Sequence, residues 1–289
     1  MSLLPELVTW SIPSPSSNGV KIGPVMIHYY ALCLMTGIVA AWFIGRARWR
    51  ARGGKDEPYE LVLFPTVLLG ILGARVYHVL THLGDYVGAG RNPWTVFAIW
   101  QGGIAIYGAI GGGALAAWWL CRRHGVKFSS LADSVAPGIA IGQLLGRFGN
   151  WFNQELYGGP TSLPWGLEID PAHRLPGYEN FATFHPTFLY EAIWNLVVFS
   201  VLIWADRRWR LGRGKVFALY VALYTAGRFV TEGMRTDYSY DMFGPIRFNQ
   251  AVAALLCVTA IGVLVWLVKN RPGREDSVTR DQPEAAAAQ

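Results

Sequence analysis

Apolar runs of about 18 residues or more recur along the whole of this 289-residue sequence, and runs of that length cross the roughly 30 Å hydrocarbon core of a bilayer. Only 15% of the residues are charged, well below the roughly 25% that is usual in soluble domains. The arrangement of the apolar residues, rather than their total, decides the class. The sequence predicts an all-α fold, a polytopic membrane helix bundle.

The pattern predicts seven transmembrane helices. Basic residues cluster after the first, third, fifth and seventh spans, and these clusters hold 17 of the 25 Lys and Arg residues. The positive-inside rule places the clusters in the cytoplasm, so the N-terminus is predicted outside and the C-terminus inside. An even number of spans would put the last cluster on the wrong side. The predicted spans are 25–45, 59–80, 97–120, 131–145, 185–205, 216–232 and 249–268.

The segments outside the spans define the predicted domain organisation. Residues 1–24 and 148–184 are rich in turn-forming residues, so we interpret both as irregular external arm segments. The tail is polar and Ala-rich, which predicts a disordered cytoplasmic segment. The predicted domains are an external segment 1–24, a membrane domain 25–268 that includes the external arm 148–184, and a tail 269–289.

The formal net charge of +6 does not indicate a nucleic-acid partner, because the basic residues lie in short clusters between apolar spans rather than on one patch. The three cysteines stand alone in or beside apolar spans, without the spacing of a metal or redox site. We therefore expect no metal and no cofactor. Two pairs of small residues four apart predict close packing of helices: Gly108 with Gly112, and Gly142 with Gly146.

Four arginines, Arg75, Arg147, Arg228 and Arg235, lie within or at the outer ends of predicted spans. An arginine at such depth costs a few kcal/mol and faces protein, water or a partner charge. At a rise of about 1.5 Å per residue, their depths agree near the outer headgroups, where Glu191 also lies. Snorkelling would explain one arginine and an internal ion pair two, but several arginines with few local acids favour a phosphate ligand. The other four basic residues are predicted to be solvated in external segments: Lys21, Arg91, Arg174 and Arg247.

Residues 146–158 read GRFGNWFNQELYG and resemble the signature GRxGNFxNxExxG of the prolipoprotein diacylglyceryl transferases, with Trp151 in place of the usual Phe. Five further motifs lie before and after this segment, and all six occur in the family's order over about 24–250. One motif alone would be a weak indication, but six in order with a consistent topology indicate the family. The five are HYY at 28–30, GAR at 73–75, WQGG at 100–103, HPTFLYE at 185–191, and GRF at 227–229 with Glu232 and Arg235.

The resemblance implies an enzyme that moves the diacylglyceryl group of phosphatidylglycerol to the lipobox cysteine of a prolipoprotein, the first step of bacterial lipoprotein maturation. A thioether forms and glycerol-1-phosphate leaves. The implied partners are phosphatidylglycerol, a prolipoprotein lipobox peptide and membrane lipid. The implied location is the bacterial cytoplasmic (inner) membrane, with the active site towards the outer leaflet. This chemistry needs a thiolate and a means of stabilising the departing phosphate.

The resemblance also implies roles for individual residues. Arg147 and Arg228 are expected to bind the phosphate and stabilise its departure. Glu155 and Glu232 either act as acids or orient the arginines, and we favour the second because an unpaired carboxylate at this depth is costly. The remaining candidates for binding phosphatidylglycerol are Tyr30, Arg75, Asn150, Asn153, Gly158 and Arg235.

The identity of the general base stays open. Many family members have a histidine where this chain has Tyr107, and a tyrosine with an ordinary pKa of about 10 is a poor base at neutral pH. Either the base lies elsewhere or this position only binds the headgroup, which we favour. His185 is a second catalytic candidate, either as the base or as a structural cap where its span begins.

Two other classes of function remain open. A transporter for an anionic solute would also place arginines in a bundle, but with paired broken helices and polar groups in both leaflets. A non-catalytic lipid-binding scaffold would need the arginines without Glu155, Asn150 and the motif at His185. Release of glycerol-1-phosphate separates the enzyme from both.

Overall fold

The computed structural model describes residues 11–88, 90–99, 102–239, 241–244 and 246–280. The fold is mostly helical, as predicted, and each predicted span overlaps one long helix. Among these residues, four helices (the first, second, fifth and seventh of the long ones) are long and apolar enough to cross a membrane. The long helices are α1 (Tyr29–Ala51), α2 (Asp56–Thr81), α4 (Ile106–Arg123), α5 (Phe128–Phe152), α6 (Thr187–Trp209), α7 (Lys215–Met234) and α8 (Phe248–Asn270), with a short α3 (Leu83–Tyr86) after α2.

Two helix boundaries differ from the prediction in ways that matter for function. The first span was predicted from residue 25, but Val25–His28 is a strand, and α1 begins at Tyr29. Here β-branched residues alternate behind a turn at Gly23, whose φ of 59° suits glycine. The fourth span was predicted to end at residue 145, but α5 continues to Phe152. Arg147 and Asn150 therefore lie on a helix.

The segments predicted to be irregular contain short strands, which corrects the purely α-helical prediction. Strand β1 (Ser11–Ile12) pairs in parallel with β4 (Gly166–Glu168), which pairs antiparallel with β5 (Thr183–Phe184). This sheet joins the two predicted external arms to each other. Two hairpins complete the strands of the described residues: β2 (Gly19–Ile22) with β3 (Val25–His28), and β6 (Asp241–Phe243) with β7 (Ile246–Arg247).

The chain divides into two compact units, of which the first comprises Met1–Gly45 and Asp133–Arg274. Its apolar core is built by α5, α6 and α7, and α8 packs along α7. A second cluster lies under the three-stranded sheet, where Tyr157 and Phe184 pack with Phe188 at the start of α6. The buried residues of the main core are Ala136, Ala140, Val198, Leu202, Val216 and Tyr220.

The second unit comprises Arg46–Ala132 and Glu275–Gln289, and its main packing is α2 against α4. A Cβ atom added at Gly73 of α2 would lie 2.6 Å from the Gly108 carbonyl oxygen and 3.0 Å from Gly112 Cα. This confirms the predicted close approach at Gly108 and Gly112. In the first unit, a Cβ at Gly142 would lie 3.2 Å from the Gly37 carbonyl oxygen, so the second predicted pair also marks a helix contact.

The tail is partly ordered, which corrects the prediction of disorder for its first residues. In the first unit, the buried Lys215 ammonium donates to the carbonyls of Arg271 and Gly273, both at 2.6 Å. In the second unit, the Arg280 N–H donates to the Gly125 carbonyl at 2.6 Å, and Val278 is buried. Composition misses these contacts because the acceptors are backbone carbonyls, which any sequence carries. Residues 281–289 lie outside the described residues.

The contact at Gly73 predicts an asymmetric response to the same substitution at two helical glycines. Gly73→Ala forces a methyl group against the backbone of α4, so overpacking should lower the free energy of unfolding by about 1–3 kcal/mol. Gly111→Ala on α4 meets nothing within 4 Å and should be neutral or slightly stabilising, since alanine favours helix. Thermal unfolding of the two purified variants in detergent measures both. Equal melting temperatures would contradict the packing described.

Candidate active site

The carboxyl end of α5 presents polar side chains where the helix finishes. Arg147 and Asn150 are three residues apart on one helical face, and the Arg147 Nη1 donates to the Asn150 amide oxygen at 3.3 Å. Beyond the helix, Gln154 and Leu156 adopt left-handed backbone conformations that turn the chain back. Glu155 then accepts from the Asn150 amide at 2.8 Å. The turn thus fixes the orientation of Asn150 between an arginine and a carboxylate.

Asn153 belongs to the same turn, because its amide also donates to Glu155, at 3.2 Å. Glu155 therefore binds two asparagines, and it reaches Arg147 through Asn150. The prediction that Glu155 orients the arginines stays a proposal, with the asparagine now identified as the intermediate.

Glu191 of α6 links the two arginines expected to bind phosphate. Its Oε2 lies 2.5 Å from Arg147 Nε, and its Oε1 lies 2.8 Å from Arg228 Nη1. The Glu191 side chain is only 8% exposed. Sequence reasoning placed Glu191 at this depth but gave it no role. The structure shows a buried carboxylate shared by one arginine from α5 and one from α7.

The carboxyl end of α7 extends the network. Arg228 and Glu232 lie on one face of α7, Arg235 directly follows its last residue, and Glu232 is fully buried. Its carboxylate contacts Arg228 directly and lies 3.4 Å from Arg235 Nη1. Arg235 also forms two 2.7 Å hydrogen bonds with Asp237. Burial opposes ionisation of Asp237, yet the Arg235 guanidinium keeps the pKa of its carboxyl below the usual value.

Arg247 corrects the prediction of a solvated external arginine. Its side chain is 11% exposed, and its Nη1 donates to the carbonyls of Glu232 and Arg235 at 2.8 and 3.1 Å. A cation at the last carbonyls of a helix is favourable, and this contact holds the end of α7. Asn249, on the first turn of α8, donates to Glu232 at 3.1 Å. Sequence reasoning missed both because the contacts join distant positions.

The network is balanced in charge, contrary to the expectation of few local acids. Within the described part of the chain, four arginines form ion pairs with three carboxylates, Glu191, Glu232 and Asp237. Glu155 adds a fourth carboxylate through Asn150. Arg235 uses all three of its nitrogens on Glu232 and Asp237. The Nη2 of Arg147 and the Nε of Arg228 have no hydrogen-bond partner among the described residues, and these side chains are 17% and 19% exposed. Arg147 and Arg228 thus each keep a donor for a ligand.

Tyr30 lies beside this network at the start of α1. A Cβ atom on Gly149 would come within 2.5 Å of Tyr30 Cδ2, so the ring rests on the helix between Arg147 and Asn150. The hydroxyl is within electrostatic reach of Glu155 and Arg147. Only glycine permits this approach of a ring to α5.

Gly158 and His185 lie together outside the hydrogen-bonded network. The Gly158 N–H donates to the His185 carbonyl at 2.9 Å, and a Cβ at Gly158 would lie 2.8 Å from the His185 Cβ. The His185 Nδ1 is 3.2 Å from the Tyr190 hydroxyl, which accepts from Trp165 Nε1 at 3.1 Å. Gly158 thus allows the chain to pack closely against His185. The His185 ring is hydrogen-bonded to Tyr190 of α6.

Arg75 and Tyr107 belong to the second unit, and their contacts lie within it. Four N–H groups of Arg75 donate to backbone carbonyls between residues 95 and 103, at 2.5–2.8 Å. Its guanidinium also lies 5.3 Å from the centre of the Tyr86 ring. The N–H donors of Arg75 were predicted to bind a lipid phosphate, but they instead bind the carbonyls of this loop. Tyr107 is half exposed, with its ring 6.4 Å from that of Tyr77. Trp100 and Gln101 lie outside the described residues.

Apolar helices of membrane-spanning length define a multi-pass membrane protein, and a buried network of arginines and carboxylates marks its candidate active site. Residues 18–266 match the family model described as prolipoprotein diacylglyceryl transferase. The chain belongs to this family.

Curated relatives in three bacteria bear the name phosphatidylglycerol–prolipoprotein diacylglyceryl transferase. That of Cutibacterium acnes is 52% identical over 266 residues, which cover 92% of this chain and 89% of the relative. That of Corynebacterium diphtheriae is 49% identical over 271 residues, covering 90% and 95%. Enzyme 2 of Streptomyces coelicolor is 47% identical over 265 residues, covering 92% and 83%.

The shared carboxylate predicts that Glu191→Gln is severely destabilising. The amide leaves Arg147 without an ion-pair partner and Arg228 with Glu232 alone, so we expect a loss of about 3–5 kcal/mol in the free energy of unfolding. Asp56 provides a matched control, since it also binds two arginines, Arg46 and Arg50, but is 30% exposed. Asp56→Asn should leave the stability nearly unchanged, because exposed ion pairs contribute little. Thermal unfolding of both variants measures the difference, and similar losses would refute the importance of the buried bridge.

Proposed function

We propose that this protein transfers the diacylglyceryl group of phosphatidylglycerol to the lipobox cysteine of prolipoproteins, the first step of bacterial lipoprotein maturation. Membership of the family supports the reaction. The observation that carries the site is Glu191, which holds Arg147 and Arg228 together while each keeps an unused N–H donor. A pair of fixed guanidinium groups suits a phosphate, because each presents planar donors to its oxygens.

The reaction replaces a carbon–oxygen bond by a carbon–sulfur bond. The cysteine thiolate attacks the glyceryl carbon that carries the phosphate, a thioether forms, and glycerol-1-phosphate leaves. The phosphate changes from a singly charged diester to a monoester whose negative charge grows, and the proton lost by the thiol balances that charge. Arg147 and Arg228 are placed to stabilise the departing oxygen in a site with little water, where fixed donors are most effective.

The neighbouring polar groups have positioning roles in this proposal. Glu232 and Glu191 orient Arg228, while Asn150 and Glu155 orient Arg147. Tyr30 and Asn153 are proposed to hydrogen-bond the headgroup. Arg235 is proposed to act through Glu232, since its own donors are already occupied.

The base that takes the thiol proton is proposed to lie elsewhere than Tyr107, which would only contact the headgroup. His185 is bonded to Tyr190, and this contact favours the role of a structural cap over that of a base.

The proposed topology has seven spans, the N-terminus outside, the C-terminus in the cytoplasm and the site near the outer leaflet. The basic clusters support it, as does the position of Glu191 in the first turns of α6. The arms at 1–24 and 148–184, joined through β1 and β4, are proposed to cover the site and guide the lipobox peptide.

The test is release of glycerol-1-phosphate from phosphatidylglycerol by the purified protein. A lipobox peptide should support release and yield a thioether, and the same peptide with alanine for cysteine should support neither. Absence of release from folded protein, with an active family member as control, would instead favour lipid binding or transport.

Arg147→Gln and Arg228→Gln should each lower the rate of transfer about 100-fold or more, because each removes a donor that acts on the growing charge. The loss should fall on kcat more than on KM. Arg91→Gln, which changes an exposed arginine of the other unit, should leave the rate within about twofold of wild type. If folded Arg228→Gln protein retains the wild-type rate, the assigned role is wrong.

A further inference from the structure

The carboxyl half of α6 carries a groove at the end of the helix away from Glu191. A shallow, open cavity of about 540 Å³ is lined by Phe199, Ser200, Ile203, Trp204, Arg207 and Arg208. These residues recur at spacings of one, three and four, so they share one helical face. Val198, Leu202 and Ala205 occupy the opposite face and are buried in the core. The groove therefore opens away from the core of its unit.

The two arginines of this groove are not paired with an acidic residue among the described residues. Arg207 and Arg208 are exposed, and within the described ranges neither forms an ion pair or a hydrogen bond. The adjacent Asp206 is turned to the core, where it binds Arg274 at 2.6 Å. The groove thus ends in two positive charges that the protein does not neutralise.

The basic pair at the end of α4 provides a contrast. Arg122 lies 4.2 Å from the centre of the Trp118 ring, and Arg123 lies 5.6 Å from that of Trp119. Both guanidinium groups are therefore stacked on the protein's own aromatic side chains. Two helices with Arg-Arg in their last turn thus differ in whether the two arginines already contact aromatic rings of the protein.

We propose that this groove binds one anionic phospholipid. Its phosphate would lie between Arg207 and Arg208, and one acyl chain would lie along Trp204, Ile203 and Phe199. Phe199 and Arg207 are eight residues apart, about 12 Å along the helix, which matches a headgroup at one end and hydrocarbon at the other. The chemistry fits, because basic residues beside a span attract anionic headgroups and tryptophan favours the membrane interface.

This groove is distinct from the candidate active site. Glu191 and Arg207 are sixteen residues apart on the same helix, so about 24 Å separates them. In the proposed topology, the active site lies towards the outer leaflet and the groove at the inner one. The groove therefore takes a lipid that is not the one being consumed, and its occupancy does not depend on the transfer reaction.

The experiment counts lipids retained by the purified full-length protein in native mass spectrometry. Dioleoyl phosphatidylglycerol is the probe, with dioleoyl phosphatidylcholine as the neutral lipid and glycerol-1-phosphate as the chain-free anion. All variants share a background of Arg147→Gln and Arg228→Gln, so any lipid held at the candidate active site contributes equally to each. Arg207→Gln/Arg208→Gln should weaken retention of phosphatidylglycerol on the order of tenfold. Ser200→Trp, which fills the groove without changing charge, should weaken it similarly.

The matched control is Arg122→Gln/Arg123→Gln, which removes the same charge from α4 and should leave retention unchanged. Equal weakening by this control would show general electrostatic attraction and overturn the proposal. Equal retention of phosphatidylcholine, binding of glycerol-1-phosphate as tight as that of the lipid, or no effect of Ser200→Trp would each overturn it too. Failure of the transferase assay would leave this outcome unaffected, because no peptide is present.

Discussion

The site depends on one buried carboxylate. Glu191 contacts Arg147 and Arg228 at 2.5 and 2.8 Å, and these arginines come from two different helices, α5 and α7. Two guanidinium groups at membrane depth would repel each other without an anion between them, because Coulomb forces are weakly screened where water is scarce. The shared carboxylate therefore sets both the spacing of the arginines and the way α5, α6 and α7 come together at this end of the first unit.

The helical spacing of the charged residues and their predicted depth in the membrane were sufficient to find most of this network. The alignment of Arg228 and Glu232 on α7, with Arg235 directly after it, follows from helical spacing, and Arg147 follows from its place at the end of a span. Predicted depth in the membrane does not distinguish the role of Arg147 from that of Arg75, because both residues are predicted at a similar depth. The difference is that Arg75 donates to carbonyls of residues 95–103. The positions of those acceptors depend on a loop conformation that the local sequence pattern does not predict.

Non-local backbone pairing accounts for the other differences between sequence and structure. Proline and glycine predict that residues 1–24 and 148–184 are arms, but the pairing of Ser11 with Gly166 joins positions 155 residues apart. The ordering of residues 271–280 has the same origin, since buried Lys215 needs acceptors and finds them in backbone carbonyls. Helices could be predicted because their bonds are local, whereas arms and tail are fixed by partners far along the chain.

The balanced charge of the network is consistent with an anionic substrate. A site holding only arginines would be costly to bury before its ligand arrived. Here the carboxylates neutralise and orient the guanidinium groups, while Arg147 Nη2 and Arg228 Nε have no protein partners among the described residues. A phosphate diester already carries one charge, so donors fixed in advance gain most as the second charge develops on the leaving monoester. In the proposed mechanism, the carboxylates that neutralise this network also hold its arginines where charge develops in the transition state.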